Sequence, residues 1–293
     1  IANGDWSSDV CSSDLFNIMK YKLICLDIDG TLLDNEKNLR PEVAEAVRRA
    51  ASKGARIVLN SARMPAGVEP IEKELGVSCI KICDGGSYIL DGDTCISAEH
   101  FSTASMEGIF RQCARKNHLN LWIFHDRDWY VTGMDDRIEK EIEIIGYHPQ
   151  IMKVEELAGR WDRENTGPSK LLIHARPELI NQIKDEMAEN ISRGIWPDIS
   201  MAKSADFFLE IFPGDIDKGS VLKKVCDILH ISLDETVAFG DHEMDIPMIQ
   251  TAGLGVAMGN AVDELKQIAD HITLSNEEDG VAVALDKIMA GEL

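Results

Sequence analysis

Leu23-Ile24-Cys25-Leu26-Asp27-Ile28-Asp29-Gly30-Thr31-Leu32-Leu33 is the stretch on which the reading of this chain turns. Four apolar residues run into an acid, followed by Ile28, a second acid and a glycine. The apolar run predicts a strand buried on both faces, as in parallel sheets. Ligands of such sheets sit beyond the carboxyl ends of the strands. Asp27 falls at that end, and Asp29 and Gly30 open the loop that leaves it. Two carboxylates roughly 4 Å apart repel by about 4 kcal/mol at an effective dielectric of about 20. A shared proton, a basic neighbour or a metal ion must offset that. Taken alone, the stretch is equally an acidic Asx-type turn after a strand.

Outward from it the pattern alternates. Helix Pro41–Lys53, strand Arg56–Asn60, a helix opened by Pro65 and strand Ser78–Cys83 are the spacing of right-handed βαβ units. In the second helix Val68, Ile71 and Leu75 make the apolar face, and Glu69, Glu72, Lys73 and Glu74 are assigned to solvent. From about residue 87 to 212 the texture changes to hairpins, at Asp91-Gly92-Asp93 and His125-Asp126-Arg127-Asp128, mixed with helices and the strands Lys170–His174 and Phe207–Phe212. Short alternating units resume at Lys218–Leu229 and Thr236–Phe239. The expected fold is α/β: a Rossmann-like parallel-sheet core, residues 19–86 and 213–293, with an inserted α+β cap domain, residues 87–212. Residues 1–18 lack helical period and a cationic leader pattern, and Ser8–Leu15 resembles a translated sequencing adapter. They are read as an artefact or a disordered tail.

The chain has 293 residues, 44% hydrophobic and 28% charged, which fits a soluble two-domain protein. No window of about eighteen apolar residues predicts a membrane span. A net charge of −21 without a basic run argues against nucleic acid or an anionic membrane as partner. The seven cysteines have no zinc spacing and read as free thiols of a reducing cytoplasm. The eight histidines form no metal-binding sequence motif, and His125, Arg127 and Arg163 are assigned to solvated loops. Four of the five tryptophans, at 122, 129, 161 and 196, are assigned to the cap interior. Nothing in the sequence sets the oligomeric state.

Three further features fall at strand ends or helix starts and should converge with Asp27 and Asp29 on one face. Ser61 ends the second strand; it is a phosphoryl-oxygen ligand or an ordinary helix cap. Lys218 lies in the first turn of its helix, where the helix dipole disfavours a cation, so it points to an anion or is a surface lysine. Arg63 is assigned to a structural ion pair. Asp241 and Asp245 follow a strand in Gly240-Asp241-His242-Glu243-Met244-Asp245 and cap a helix or hold a metal. An all-oxygen acidic site suits Mg²⁺ better than zinc.

Asp27-Ile28-Asp29-Gly30-Thr31, Ser61, Lys218 and Gly240-Asp241 through Asp245 resemble, in order, the four motifs of the haloacid-dehalogenase superfamily. Ala257-Met258-Gly259-Asn260-Ala261 and Glu278-Asp279-Gly280-Val281 resemble its Cof-like branch, and the insertion is similar to a class IIB cap. The resemblance implies a cytoplasmic, Mg²⁺-dependent phosphatase of small phosphorylated metabolites, sugar phosphates or phosphorylated cofactors. It implies that Asp27 attacks phosphorus to form an aspartyl phosphate, that Asp29 is the general acid and base, and that Ser61 and Lys218 bind the phosphoryl group. It also implies that Asp27, the Asp29 carbonyl, Asp241 and, through water, Asp245 hold the metal. Met244 departs from a usual asparagine, His242 is bulky beside a metal ligand, and Ala62 and Asp84 replace a usual glycine and asparagine. A phosphomutase and a non-catalytic Mg²⁺-binding relative are the alternatives.

Overall fold

The computed structural model describes residues 19–293; the reading of residues 1–18 lies outside them. β1 (Leu23–Asp27) is buried along its whole length. It pairs parallel with β2 (Arg56–Asn60), which pairs parallel with β3 (Cys79–Cys83). Helices Pro41–Ser52 and Pro65–Leu75 make the crossovers, each opened by a proline whose fixed φ suits the first turn.

The next hairpin, β4 (Tyr88–Asp91) and β5 (Thr94–Ala98), turns back antiparallel onto β3 and extends the same sheet. The expected boundary between residues 86 and 87 is corrected by this: the core sheet continues to Ala98. The reason is apolar burial, since Ile89 and Leu90 are fully covered by the core. A hairpin turn alone does not say which sheet a hairpin joins.

The inserted segment folds around its own sheet. Its strands are β6 (Leu121–His125), β7 (Asp128–Val131), β8 (Gln150–Ile151), β9 (Lys170–His174), β10 (Ile199–Ala205) and β11 (Phe208–Pro213). They run in the order β10-β11-β9-β6-β7-β8, antiparallel except for β7–β8. The period of two sorts the side chains. Leu121, Ile123, Leu171 and Ile173 face helices of the insertion, packing with Met106, Trp161 and Ile183. Trp122, Phe124 and Leu172 face the other way and pack with Met64 from the core. All four assigned tryptophans are buried, at 0–2% exposure.

β12 (Thr236–Gly240), β13 (Leu254–Ala257) and β14 (His271–Ile272) then complete an eight-stranded sheet ordered β14-β13-β12-β1-β2-β3-β4-β5. β12 lies parallel beside β1, with Leu26 opposite Phe239, while Asp27 is opposite Asn60 on β2. The carboxyl ends of β1, β2 and β12 therefore share one edge of the sheet.

Three local expectations change. The helix expected over Ser105–Asn117 is α-helical at Thr103–Ile109, widens to a π turn at Phe110–Ala114 and tightens to a 3₁₀ turn at Arg115–Asn117. Helix Val154–Glu164 and strand β10 are additional. Glu72 is not left to solvent: it pairs with Lys81, a β3 side chain only 2% exposed, and accepts the Cys79 amide at 2.8 Å. Among the described residues, no helix is long and apolar enough to cross a membrane.

Removing the partner of a buried ammonium leaves an uncompensated charge. Glu72→Ala should lower the unfolding free energy by about 3–5 kcal/mol in urea melts, and Lys81→Met should cost much less.

Candidate active site

Asp27 is the last residue of β1, and the chain leaves it through a tight loop. Leu32 N and Leu33 N both donate to the Ile28 carbonyl, at 3.1 and 3.0 Å. Gly30 has φ +92°, and a β-carbon there would lie 2.4 Å from Asp241 Oδ2. Conformation and space both require glycine at that point. Asn260 supports the loop from outside, donating to the Gly30 carbonyl at 2.8 Å and accepting the Asn276 amide at 3.0 Å.

Lys218 Nζ donates to Asp27 Oδ1 and to Asp245 Oδ1, each at 2.5 Å. All three side chains are buried. The helix Lys218–Leu229 is capped by Asp217, whose carboxylate accepts the amides of Gly219 and Ser220. That capping acid partly offsets the placement of a lysine at the positive end of the helix. The other oxygen of Asp245 accepts the amides of Asp241 and His242, both at 3.0 Å. Asp245 therefore fixes both Lys218 and the loop after β12. Thr31 Oγ1 donates to Asp241 Oδ1 at 2.8 Å, which orients the remaining carboxylate.

Asp27, Asp241 and Asp245 bring one carboxylate oxygen each to within 4.8 Å of one another. Burial drives the Asp27 carboxyl well above the usual range; Lys218 opposes this, and Asp245 and Asp241 reinforce it. Burial and Asp245 push Asp241 up to about 6, against the Thr31 hydrogen bond and Lys218. One ammonium thus does not compensate three gathered acids. An oxygen-only donor set short of positive charge fits a hard divalent cation. Asp27, Asp241 and Asp245 are the side chains that could hold such an ion, with Asp245 Oδ2 already taken by two backbone amides.

Asp29 points elsewhere. Arg63 holds it in a fork, Nε to Oδ2 at 2.8 Å and Nη2 to Oδ1 at 2.7 Å, and Lys37 Nζ adds a contact at 2.9 Å. Burial pulls this carboxyl upward, but the Arg63 and Lys37 bonds and charges prevail and hold it at about 2. Ser61 is buried at the start of the β2 loop, its Oγ accepting the Arg63 amide at 3.1 Å. A hydroxyl that accepts one bond keeps its proton to donate. Asp27, Asp29, Ser61, Lys218, Asp241 and Asp245 all line one cleft of about 540 Å³.

The insertion roofs this cleft with Phe124, Leu172 and Phe208, and Ile144, Ile145, Arg137 and Glu141 stand at its side. Lys170 descends from β9 onto the Ala62 carbonyl, pairs with Glu210 at 3.2 Å and lies 3.5 Å from Asp84. Asp84 also accepts Ser169 Oγ at 3.0 Å. Its φ of +50° explains the residue type, because asparagine and aspartate enter the left-handed region most readily. Burial pushes Asp84 up to about 6 despite Lys170 and Ser169.

Sequence reading did not find Lys170, Lys37 or Thr31 as parts of the site. A lysine opening an apolar strand is the signal for Lys170, and Thr31 lies inside the quoted motif; Lys37 carries no signal. Arg63 does form an ion pair, with Asp29 as its partner. Met244 and His242 also line the cleft, at the side facing the insertion.

A family model for haloacid dehalogenase-like hydrolases matches residues 24–285. A putative phosphatase of Haemophilus influenzae is 29% identical over 273 residues, covering 92% of this chain and 98% of that protein. The 5-amino-6-(5-phospho-D-ribitylamino)uracil phosphatase YcsE of Bacillus subtilis is 29% identical over 265 residues, covering 90% and 94%. The solved haloacid-dehalogenase subclass IIB sugar phosphatase BT4131 superposes with a TM-score of 0.76 over 90% of this chain and 98% of that one. At 21% identity, that likeness is one of fold.

Arg63→Ala should raise the Asp29 pKa from about 2 toward its ordinary 3.8, read by carboxyl NMR titration. A depressed carboxylate stabilises the fold above its unfolded pKa and loses that contribution as pH falls through its folded one. The stability gap between parent and variant should therefore be full above about pH 4 and close toward about pH 2.

Proposed function

The chain belongs to the haloacid dehalogenase-like hydrolases, and from that premise we propose that it is a cytoplasmic Mg²⁺-dependent phosphatase of small phosphorylated metabolites, acting through an aspartyl phosphate on Asp27. The observation that carries the proposal is the buried Asp27–Lys218–Asp245 contact with Asp241 beside it, at the carboxyl edge of the sheet. It joins a nucleophile, a cation and a charge deficit in one place.

The steps follow from what each side chain has free. Lys218 spends two of its three N–H donors on Asp27 and Asp245, which leaves one for a phosphoryl oxygen. Ser61 donates its hydroxyl proton to another. Asp27 Oδ then attacks phosphorus, the ester P–O bond breaks, and the leaving oxygen takes a proton from Asp29. A water molecule next attacks the aspartyl phosphate at phosphorus, gives its proton to Asp29 and returns Asp27 as a carboxylate. Asp27, Asp241, the Asp29 carbonyl and, through water, Asp245 would hold Mg²⁺, which would supply the positive charge that keeps Asp27 ionised and lets an anionic ester approach.

The Arg63 and Lys37 bonds hold the Asp29 carboxyl below the usual carboxylate range, so it is ionised before substrate enters. Protonation of the leaving oxygen requires Arg63 and Lys37 to let go of it. An incoming phosphate dianion is the natural competitor for both cations. Substrate binding would thus release the acid that its own leaving group needs.

The roof suits a leaving group with an apolar face and a few polar groups, the latter set against Arg137 and Glu141. A phosphorylated cofactor fits this better than a bare sugar phosphate, and YcsE is named for a substrate that likewise joins a phosphorylated polar chain to a ring. The six described cysteines are all free, as a reducing compartment would keep them.

Asp27→Asn should reduce phosphate release from an aryl phosphate by at least about 10³-fold with the circular dichroism spectrum unchanged; undiminished turnover would remove Asp27 from its role. Independently, millimolar Mg²⁺ should raise the melting temperature of the parent and not of Asp241→Asn. A panel of phosphorylated metabolites, run with Mg²⁺ and with chelator, should show turnover only with the metal and rank cofactor phosphates above hexose phosphates.

A further inference from the structure

His100, His125 and Asp126 meet at the junction of core and cap, away from the cleft. His100 lies in the connection that leaves β5 for the insertion, His125 ends β6, and Asp126 opens the β6–β7 turn. One ligand atom from each lies within 4.8 Å of the others. His100 Nε2 is 2.8 Å from Asp126 Oδ1, and His125 Nε2 is 3.9 Å from Asp126 Oδ2.

The tautomer of His125 follows from its other contact. Nδ1 lies 2.7 Å from the Gly167 carbonyl, which can only accept, so Nδ1 carries the proton. In the neutral ring, Nε2 then presents a lone pair toward a carboxylate. A backbone carbonyl that fixes one imidazole nitrogen and aims the other is the usual support of a metal-binding histidine. Trp161 packs on the His125 ring at 4.8 Å and forms an apolar wall behind it.

We infer that His100, His125 and Asp126 bind a divalent transition ion, zinc foremost, at the core–cap junction. Two imidazoles and one carboxylate select such an ion over Mg²⁺. Zinc bonds of about 2.0–2.2 Å in a tetrahedron separate ligand atoms by about 3.3 Å. Rotations of three partly exposed side chains would bring the present set to that spacing, with the fourth position left to water. The ion would tie the connection at His100 to the hairpin tip, whose next residue, Arg127, already pairs with Glu69 of the core at 2.5 Å. It would therefore tether the first link between core and cap.

The test is zinc titration of the full chain by calorimetry in excess Mg²⁺, which saturates the acidic cleft, with Co²⁺ absorption reporting ligand type. One equivalent of Zn²⁺ should bind, and Co²⁺ should give the visible bands of a four-coordinate histidine site. His125→Ala and His100→Asn should each weaken binding at least about tenfold, while phosphate release in Mg²⁺ alone persists. His100→Asn, in an irregular connection, serves if His125→Ala fails to fold. No zinc uptake by the parent, or uptake unchanged in the folded variants, overturns the site. Neither result bears on Asp27, so failure here is distinguishable from failure of the phosphatase reading.

Discussion

The ammonium of Lys218, buried between Asp27 and Asp245, is the contact on which the rest of this structure depends. Moving three charged groups out of water costs several kcal/mol each, and their attraction repays that only with full hydrogen bonding. The fold supplies much of it: Asp245 takes two backbone amides and Lys218, and Asp217 caps the helix that carries the lysine. Such a site is poor for stability and makes sense as a site for binding. Burial and neighbouring acids still hold Asp27 and Asp241 above the usual carboxylate range, so a positive charge remains in demand. A dication and a phosphate ester are the pair that would meet that demand, one neutralising the other's approach.

The remaining architecture serves to deliver these groups to one edge. Parallel pairing of β1 with β2 and β12 fixes the register that sets Asp27, Ser61 and Asp241 side by side. Gly30 lets the β1 loop press against Asp241. From above, the insertion meets the core through Lys170, Ser169 and Asp84, and at the rim through Arg127 and Glu69. These polar contacts flank the apolar one that Met64 makes with Trp122, Phe124 and Leu172, so polar and apolar contacts together seat the insertion on the core.

Much of this was legible in the sequence because it depends on local chemistry. A buried strand announces itself by an unbroken apolar run, and Asp27, Asp29, Asp241 and Asp245 stand where such runs end. Ser61 and Lys218 are less legible: each also passes for an ordinary cap or surface residue, and only their arrival in one cleft separates the readings. What was hidden is long-range. The β4–β5 hairpin carries the same turn signal in either sheet, so the core boundary fell twelve residues early, at 86 in place of 98. The destination of Glu72 is a lysine on another element, invisible to helical period. The clamp on Asp29 joins residues 37 and 63, and Lys170 reaches Asp84 across the insertion. No spacing rule predicts such pairings.

In the proposed mechanism Asp27, not water, first attacks phosphorus. The stereochemical course at an isotopically chiral phosphate ester tests it most directly. Two in-line displacements, through Asp27 and then water, predict net retention of configuration in the transferred phosphoryl group, read with an alcohol acceptor where free phosphate must be trapped. Net inversion would mean a single direct displacement by water and would remove Asp27 as the nucleophile.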